Sequence, residues 1–232
     1  MVISGRTQDR RTSVDEIFDY LYEEIRTLRL RPGDKISEAE VAAHFGTSRQ
    51  PVRDAFSRLE IIDLLNIRPQ RATEVKRFSM VDIQRSRFVR MAIEAEVLRR
   101  AAKRCDDSDV QHLAGCLSRQ KVARDADDYR LFTELDYEFH QQLCEVAGVP
   151  YAFDVISAEK AKVDRLCLLS LSQEQMLPQL YDDHRAIVEA VQAGDSEAAV
   201  AVGALHLSRL DHTINTIAKT QSDYFEAPAD TQ

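Results

Sequence analysis

Asp136 and His140 are four residues apart in the segment LFTELDYEFHQQL, residues 131–143. Four residues of an α-helix turn the chain through about 400°, so the two side chains lie one above the other on one helix face. That face is otherwise apolar, because Phe132 and Leu143 share it. A carboxylate and an imidazole on an apolar, inward-facing row need buried partners. The pair is therefore a candidate for ligand or metal chemistry.

Two later helical segments each present a histidine on an inward row. His184 shares its row with Ile187 and Val188, and His206 shares its row with Ile217. Burying one Asp and three His without partners is costly, whereas one divalent metal would satisfy all of them if they converge. Imidazole and carboxylate donors suit Zn²⁺, and also Ni²⁺, Fe²⁺ or Mn²⁺.

The candidate metal ligands are Asp136, His140, His184 and His206. The alternative is a hydrogen-bonded core cluster that holds no metal. The remaining histidines lack the inward pattern and are predicted to be structural or surface residues: His44, His112 and His212.

Helical periodicity covers almost the whole chain after residue 78. Breaks such as CDDSD, RDADD and AGDSE contain Asp or Ser residues that cap helices. The predicted helices span residues 79–104, 107–125, 128–147, 151–171, 174–193 and 196–219. Helices joined by such short loops predict an antiparallel bundle, followed by a frayed tail after about residue 220.

The residues before 78 predict a winged helix-turn-helix. A helix over residues 14–29 ends before Pro32-Gly33, and Ser37 with Glu40 forms a capping box that opens a short second helix. After a tight turn, SRQPVRDAFSRLE begins a third helix. The strand-like segments LLNI and ATEV flank the basic turn RPQR, which predicts a hairpin.

Arginines on the third helix are candidates for DNA contact. Arg49 and Arg53 lie on an exposed row, with Ser48 and Gln50 near the helix start. In a helix-turn-helix this end enters the major groove, where Arg pairs with guanine or phosphate. The alternative is that both are solvated charges on an amphipathic helix. The wing-tip candidates for phosphate or minor-groove contact are Arg68, Gln70 and Arg71.

The fold class is therefore mainly α. We expect a winged helix-turn-helix DNA-binding domain over residues 1–77 and an antiparallel all-α helical bundle over residues 78–232. The charge distribution agrees with this division: residues 1–76 contain 13 basic and 13 acidic residues, so the whole net charge of −8 lies after them. An acidic bundle would be repelled by phosphate, whereas the balanced first part can carry a basic patch.

Composition favours a cytoplasmic protein. No run of about 18 apolar residues predicts a membrane span, and the first residues have no signal-peptide core. The four cysteines have no CxxC spacing and are expected to be reduced thiols.

The first part of the chain resembles the DNA-binding domain of GntR-family bacterial transcription regulators. LRPGDKISEAEVAAHFGTSRQPVRDAFSRLE followed by IRPQRATEV carries the resemblance, which covers residues 14–76. It implies operator contacts from Ser48, Arg49, Gln50 and Arg53, and wing contacts near Gln70 and Arg71. Relatives often have Gly where Gln70 stands.

The second part resembles the ligand-sensing FCD domain of the FadR subgroup, in its shorter, six-helix branch. The segments that carry it are DYEFHQQLCEVAG, DDHRAIVEAVQAGD and VGALHLSRL. The resemblance implies that Asp136, His140, His184 and His206 bind a metal that helps to hold a carboxylate effector. It also implies that Arg90, four residues before Glu94, faces that anion, with Arg87 as a second candidate. The alternative is an ion pair between either arginine and a bundle carboxylate such as Glu94.

Together these features predict a transcription regulator, a repressor in our interpretation. A homodimer would bind a pseudo-palindromic operator in double-stranded DNA, and a small organic or sugar acid would bind beside the metal and alter operator affinity. Three alternatives stay open: a regulator for which the metal is the signal, a regulator with a purely structural metal, and a metalloenzyme with a DNA-binding head. We expect no enzymatic activity, because no separate inward acid or base stands beside the metal ligands.

Overall fold

The computed structural model describes residues 12–170 and 176–227. These residues form two compact units, one made of residues 12–78 with 223–227 and the other of the described part of 79–222. The differences from the predicted division are residue 78 and residues 223–227, which belong to the first unit.

The first unit is a winged helix-turn-helix. Its elements are α1 (Ser13–Arg26), β1 (Lys35–Ile36), α2 (Glu38–His44), α3 (Arg49–Ile61), β2 (Leu65–Asn66) and β3 (Thr73–Val75). The three strands form an antiparallel sheet in the order β1-β3-β2. The sequence did not predict β1, because two residues are too few to show an alternating pattern.

The core of the first unit lies between α1 and α3. Apolar residues at helical spacing on both helices are almost fully buried, among them Ile17, Leu21, Val52 and Phe56. α1 ends at Arg26 rather than at the predicted residue 29. Leu28 has a φ of 58°, and a residue in this left-handed conformation cannot continue an α-helix.

The wing turn between β2 and β3 contains a second left-handed residue. Gln70 has a φ of 60°, a region that favours Gly because it has no Cβ. This conformation gives a physical reason for the Gly that relatives often carry there.

The second unit consists of helices packed around buried apolar residues. They are α4 (Met80–Arg104), α5 (Asp107–Asp125), α6 (Tyr129–Val146), α7 (Ala152–Ser170), α8 (Met176–Gln192) and α9 (Ser196–Thr220). α4 packs against α7 and α9, and α5 packs against α6 and α8. These bounds lie within two residues of the predicted ones, and the mainly α fold class is confirmed. Residues 171, 174 and 175, which were predicted to be helical, lie outside the described residues.

Asp and Ser side chains cap the bundle helices as predicted. Asp106 accepts backbone N–H groups at the start of α5, and Asp128 and Asp195 do the same for α6 and α9. In the part of the chain that the structure describes, no helix combines the length and apolar character needed to cross a membrane.

The predicted fraying after residue 220 is wrong for residues 221–227. A 3₁₀ turn spans Ser222–Tyr224, and Phe225 then pairs with Phe78 as an isolated parallel bridge. The N–H of Phe78 donates to the carbonyl of Tyr224, and the N–H of Glu226 donates to the carbonyl of Phe78, both at 2.8 Å. The two phenyl rings are buried with centroids 5.5 Å apart. This buried aromatic contact and the backbone bonds order the segment.

We expect Phe225→Ala to lower the free energy of unfolding of the first unit by about 3 kcal/mol, because it removes a buried ring that packs against Phe78. Urea denaturation of the full chain would measure this loss. Tyr151→Ala is the control, since Tyr151 is 71% exposed, and we expect it to cost less than about 0.5 kcal/mol. An unchanged transition for Phe225→Ala would show that residues 221–227 do not stabilise the unit.

Candidate metal centre and nucleic-acid interface

The four predicted ligands converge inside the bundle. Asp136 and His140 come from α6, His184 from α8 and His206 from α9, and all are buried. One donor atom from each residue lies within 4.8 Å of the donors of the other three. A metal about 2.1 Å from each donor needs separations of at most about 4.2 Å, so a small contraction completes the fit.

Three histidine nitrogens of the cluster make no hydrogen bond. His140 Nε2 and His184 Nε2 are buried beside Asp136 without a hydrogen-bond partner, and His206 Nδ1 is buried without one on the side of its ring that faces Asp183. Asp136 Oδ1 lies 3.3 Å from His184 Nε2 and 3.8 Å from His140 Nε2. A buried polar atom without a partner costs about 1–3 kcal/mol, and a cation beside Asp136 would remove that cost for the Nε2 atoms of His140 and His184. The residues present therefore fit a metal.

Outer contacts orient two of the histidines toward the centre. His140 Nδ1 lies 3.0 Å from Glu94 Oε2, and His184 Nδ1 lies 2.8 Å from Gln120 Oε1. The amide of Gln120 donates to the carbonyl of Leu135 at 3.1 Å, which leaves its oxygen facing His184. Both acceptors favour a proton on Nδ1 and direct the Nε2 lone pair inward, as in metal sites with ordered outer partners.

His206 is flanked by a carboxylate that an arginine holds. Arg209 donates to Asp183 through two nitrogens, at 3.0 and 2.9 Å, and Asp183 Oδ2 lies 3.8 Å from His206 Nδ1. Burial alone would raise the pKa of Asp183, but His206 and Arg209 outweigh it and lower that pKa to about 2. The carboxylate beside His206 is therefore ionised at neutral pH.

The protonation states suit metal binding. Burial lowers the pKa of His184 to about 4, with smaller contributions from Asp136, which raises it, and from the neighbouring histidines. Burial raises the pKa of Asp136, but Lys160, His184 and His140 outweigh it and hold that pKa well below its usual value. A neutral imidazole and an ionised carboxylate are the forms that bind a metal.

Both arginines predicted to face an effector form ion pairs. Arg90 is buried, and its Nε lies 2.9 Å from Glu94 Oε1, which is the alternative that the sequence left open. Arg87 forms an ion pair with Asp211. The two arginines also line a cavity of about 280 Å³ between α4, α7 and α9, whose other walls include Met91. The free space directly beside His140 and His206 is only about 10 Å³.

The predicted DNA-contacting residues of α3 lie on its exposed face. Ser48 is the N-cap residue and makes no side-chain capping bond. Gln50 Nε2 donates to Asp54 Oδ1 at 2.9 Å, and Arg53 Nε donates to Glu38 Oε2 at 3.0 Å. Arg49 makes no ion pair with any described residue. The exposed residues of this face and of the wing are Ser48, Arg49, Gln50, Arg53, Arg68, Gln70 and Arg71.

The structure adds residues that sequence reasoning missed. Lys160 contacts Asp136, Gln120 contacts His184, and Asp183 with Arg209 flanks His206. For Lys160 a signal existed, because it lies between Ile156 and Val163 on the inward row of α7. Gln120 gave no such signal. Of the histidines set aside, His44 and His112 are exposed, and the side chain of His212 lies outside the described ones.

Two family profiles match the chain. The profile described as "Bacterial regulatory proteins, gntR family" matches residues 13–75, and the profile described as "FCD domain" matches residues 87–209. The HTH-type transcriptional repressor RspR of Escherichia coli strain K12 is 35% identical over 210 residues, which cover 90% of this chain and 92% of RspR. The "Probable D-xylose utilization operon transcriptional repressor" of Paenarthrobacter nicotinovorans is 30% identical over 202 residues, 86% of this chain and 87% of that protein.

Solved structures share the fold at lower identity. E. coli McbR/YncC is similar with a TM-score of 0.66 and 17% identity, covering 91% of this chain and 99% of that chain. A GntR regulator from Rhodococcus sp. RHA1 is similar with a TM-score of 0.68 and 19% identity, covering 88% and 97%. Because both profiles match and relatives of 30% identity or more span nearly the whole sequence, this chain belongs to the GntR family of bacterial regulatory proteins and is a DNA-binding transcription regulator with an FCD domain, not an enzyme.

Proposed function

We propose that this regulator is a repressor whose operator affinity is controlled by a small organic acid bound beside a divalent metal in the helical unit. Two chains would form a dimer on a pseudo-palindromic operator in the cytoplasm, one recognition helix in each half-site. The relatives named as repressors support the direction of control.

The observation that carries the metal part is the pair of buried Nε2 atoms of His140 and His184, which lie beside Asp136 without a hydrogen bond, together with the convergence of His206 on the same cluster. Asp136, His140, His184 and His206 would hold the ion. Zn²⁺ suits three imidazoles and one carboxylate, and Ni²⁺, Fe²⁺ and Mn²⁺ accept the same donors. When bound, the ion supplies a fixed positive charge inside the helical unit.

We expect the untagged protein to retain about one transition metal per chain, and His140→Ala to lose it, because that variant removes a buried donor. Elemental mass spectrometry after gel filtration would measure the content. His112→Ala is the matched control, since His112 is exposed, and it should keep the metal. Wild-type protein without metal after incubation with Zn²⁺ or Ni²⁺ would contradict the proposal and leave a hydrogen-bonded histidine cluster.

For DNA binding we propose that the exposed start of α3 reads the major groove and that the wing contacts the backbone. Arg49 and Arg53 would contact guanine or phosphate, with Ser48 and Gln50 beside them. Arg53 is held by Glu38 at the surface, and an exposed pair of this kind contributes at most about 1 kcal/mol. DNA can therefore replace Glu38 as its partner at little cost. Gln70 and Arg71 would contact the backbone from the wing.

We expect Arg49→Ala and Arg53→Ala each to weaken operator binding about 5- to 150-fold and to reduce its salt dependence, because each removes a charged contact worth about 1–3 kcal/mol. Fluorescence anisotropy with a duplex selected from random sequences by the wild-type protein would measure both. Arg130→Ala removes an equally charged residue that is exposed on α6, and its affinity should equal that of wild type. If Arg49→Ala and Arg53→Ala bind the duplex as tightly as Arg130→Ala and the wild type do, α3 is not the helix that contacts DNA.

For the effector we propose the cavity between α4, α7 and α9. Arg87 and Arg90 give it two positive groups, and Phe88, Met91 and Val163 are among its apolar walls. A guanidinium binds a carboxylate through two hydrogen bonds. Arg90 also contacts Glu94, which contacts His140, so an acid in this cavity would be linked to the metal centre through side-chain contacts.

We expect a hydroxy acid, dicarboxylate or sugar acid to release the operator, and Arg87→Met to raise the acid concentration needed at least tenfold while leaving operator affinity without acid unchanged. Arg87 is the better variant, because removing the buried Arg90 would leave Glu94 without its cation. Anisotropy titrations with the acid that most raises the melting temperature would test this, with Arg130→Met as control. Operator release that follows metal concentration with no acid present would instead make the metal the signal.

A further inference from the structure

Lys160 is a buried cation next to the proposed metal centre. It belongs to α7 and is 7% exposed. Its Nζ lies 3.0 Å from Asp136 Oδ2 and 4.3 Å from the centroid of the Tyr137 ring. Lysine is rarely buried to this degree unless it is paired, and Asp136 provides a carboxylate partner for Lys160.

The two oxygens of Asp136 face different neighbours. Oδ1 lies 3.3 Å from His184 Nε2 and 3.8 Å from His140 Nε2, whereas Oδ2 lies 3.0 Å from Lys160 Nζ. One carboxylate therefore joins the histidine cluster to the ammonium group. A metal bound through Oδ1 would leave the contact between Oδ2 and Lys160 in place.

The charge of Asp136 is balanced before any metal arrives. An isolated buried carboxylate costs several kcal/mol, and the nearby ammonium offsets this cost. A divalent ion then enters beside a carboxylate that already has a cation, and it is repelled by the ammonium on the other oxygen. The same residue therefore stabilises the metal-free bundle and opposes metal binding.

We propose that Lys160 is an internal counter-cation that keeps the metal-free helical unit folded and lowers the affinity of the four ligands for the metal. This inference rests on the metal centre of the proposed function. Without Lys160 the metal-free form would contain a buried, unbalanced carboxylate, and metal binding would become the way to balance it. The chain would change from a protein that binds a metal reversibly to one that needs it in order to fold.

The test compares two variants that remove the charge of residue 160 with two controls. One control keeps a positive charge at residue 160, and the other removes a lysine elsewhere on α7. Lys160→Met keeps the length of the side chain without charge, and Lys160→Gln keeps a hydrogen-bond donor for Asp136 if the Met variant does not fold. Lys160→Arg keeps the charge, and Lys162→Met removes a lysine of α7 whose side chain is 40% exposed. The full chain would be stripped with a chelator or loaded with Zn²⁺, then followed by thermal unfolding and by competition for Zn²⁺ with a chromophoric chelator.

We expect Lys160→Met and Lys160→Gln to lower the melting temperature of the stripped protein by several degrees, to leave the loaded protein close to wild type, and to bind Zn²⁺ at least tenfold more tightly. Lys160→Arg and Lys162→Met should behave as wild type does. Equal or weaker Zn²⁺ affinity in the neutral variants, or equal losses in the stripped and loaded forms, would overturn the proposal. If the wild type itself does not bind Zn²⁺, the metal centre is refuted. If the wild type binds Zn²⁺ and the neutral variants bind it with the same affinity, the role of Lys160 is refuted and the metal centre is not.

Discussion

The helical unit depends on one constraint: a carboxylate and three imidazoles are buried together, where water cannot solvate them. Each of these groups must find a partner in the protein or in a bound ion. Protein partners occupy Nδ1 of His140 and of His184, whereas Nε2 of each of these two rings, which faces Asp136, makes no hydrogen bond. This division into a satisfied outer side and an unsatisfied inner side is the feature on which the proposed metal site rests.

Every helix of the bundle supplies part of this arrangement. The inner residues come from α6, α8 and α9. The outer contacts are made by Glu94 of α4, Gln120 of α5, Lys160 of α7, Asp183 of α8 and Arg209 of α9. A ligand that moved one inner residue would therefore disturb contacts on several helices at once. A metal or an acid bound there would in this way couple a small chemical event to the packing of the described helices, as the proposed sensing role requires.

In the first unit the residues proposed to bind a partner lie on the surface, whereas those of the helical unit are buried. The α3 residues proposed to contact DNA are exposed, and their partners, such as Glu38 and Asp54, are exposed or half-buried. Surface contacts of this kind are weak and exchange readily for phosphate or base contacts. The buried face of α3 carries only the core, so DNA contacts can change without loss of the fold.

The sequence by itself determined the helices, the winged helix-turn-helix and the inward direction of Asp136 and the three histidines, because helical periodicity reports which face of a segment is buried. The sequence also contains a signal for Lys160, which was not predicted as a site residue: it lies on an apolar row, although nothing in the sequence indicates its partner. Only the tertiary structure decided that Lys160 meets Asp136, that Gln120 meets His184, and that Phe225 returns to Phe78. Each of these contacts joins segments far apart in the chain or on different helices. Periodicity fixes where a side chain points within its own helix, but the packing of helices against one another decides what it meets.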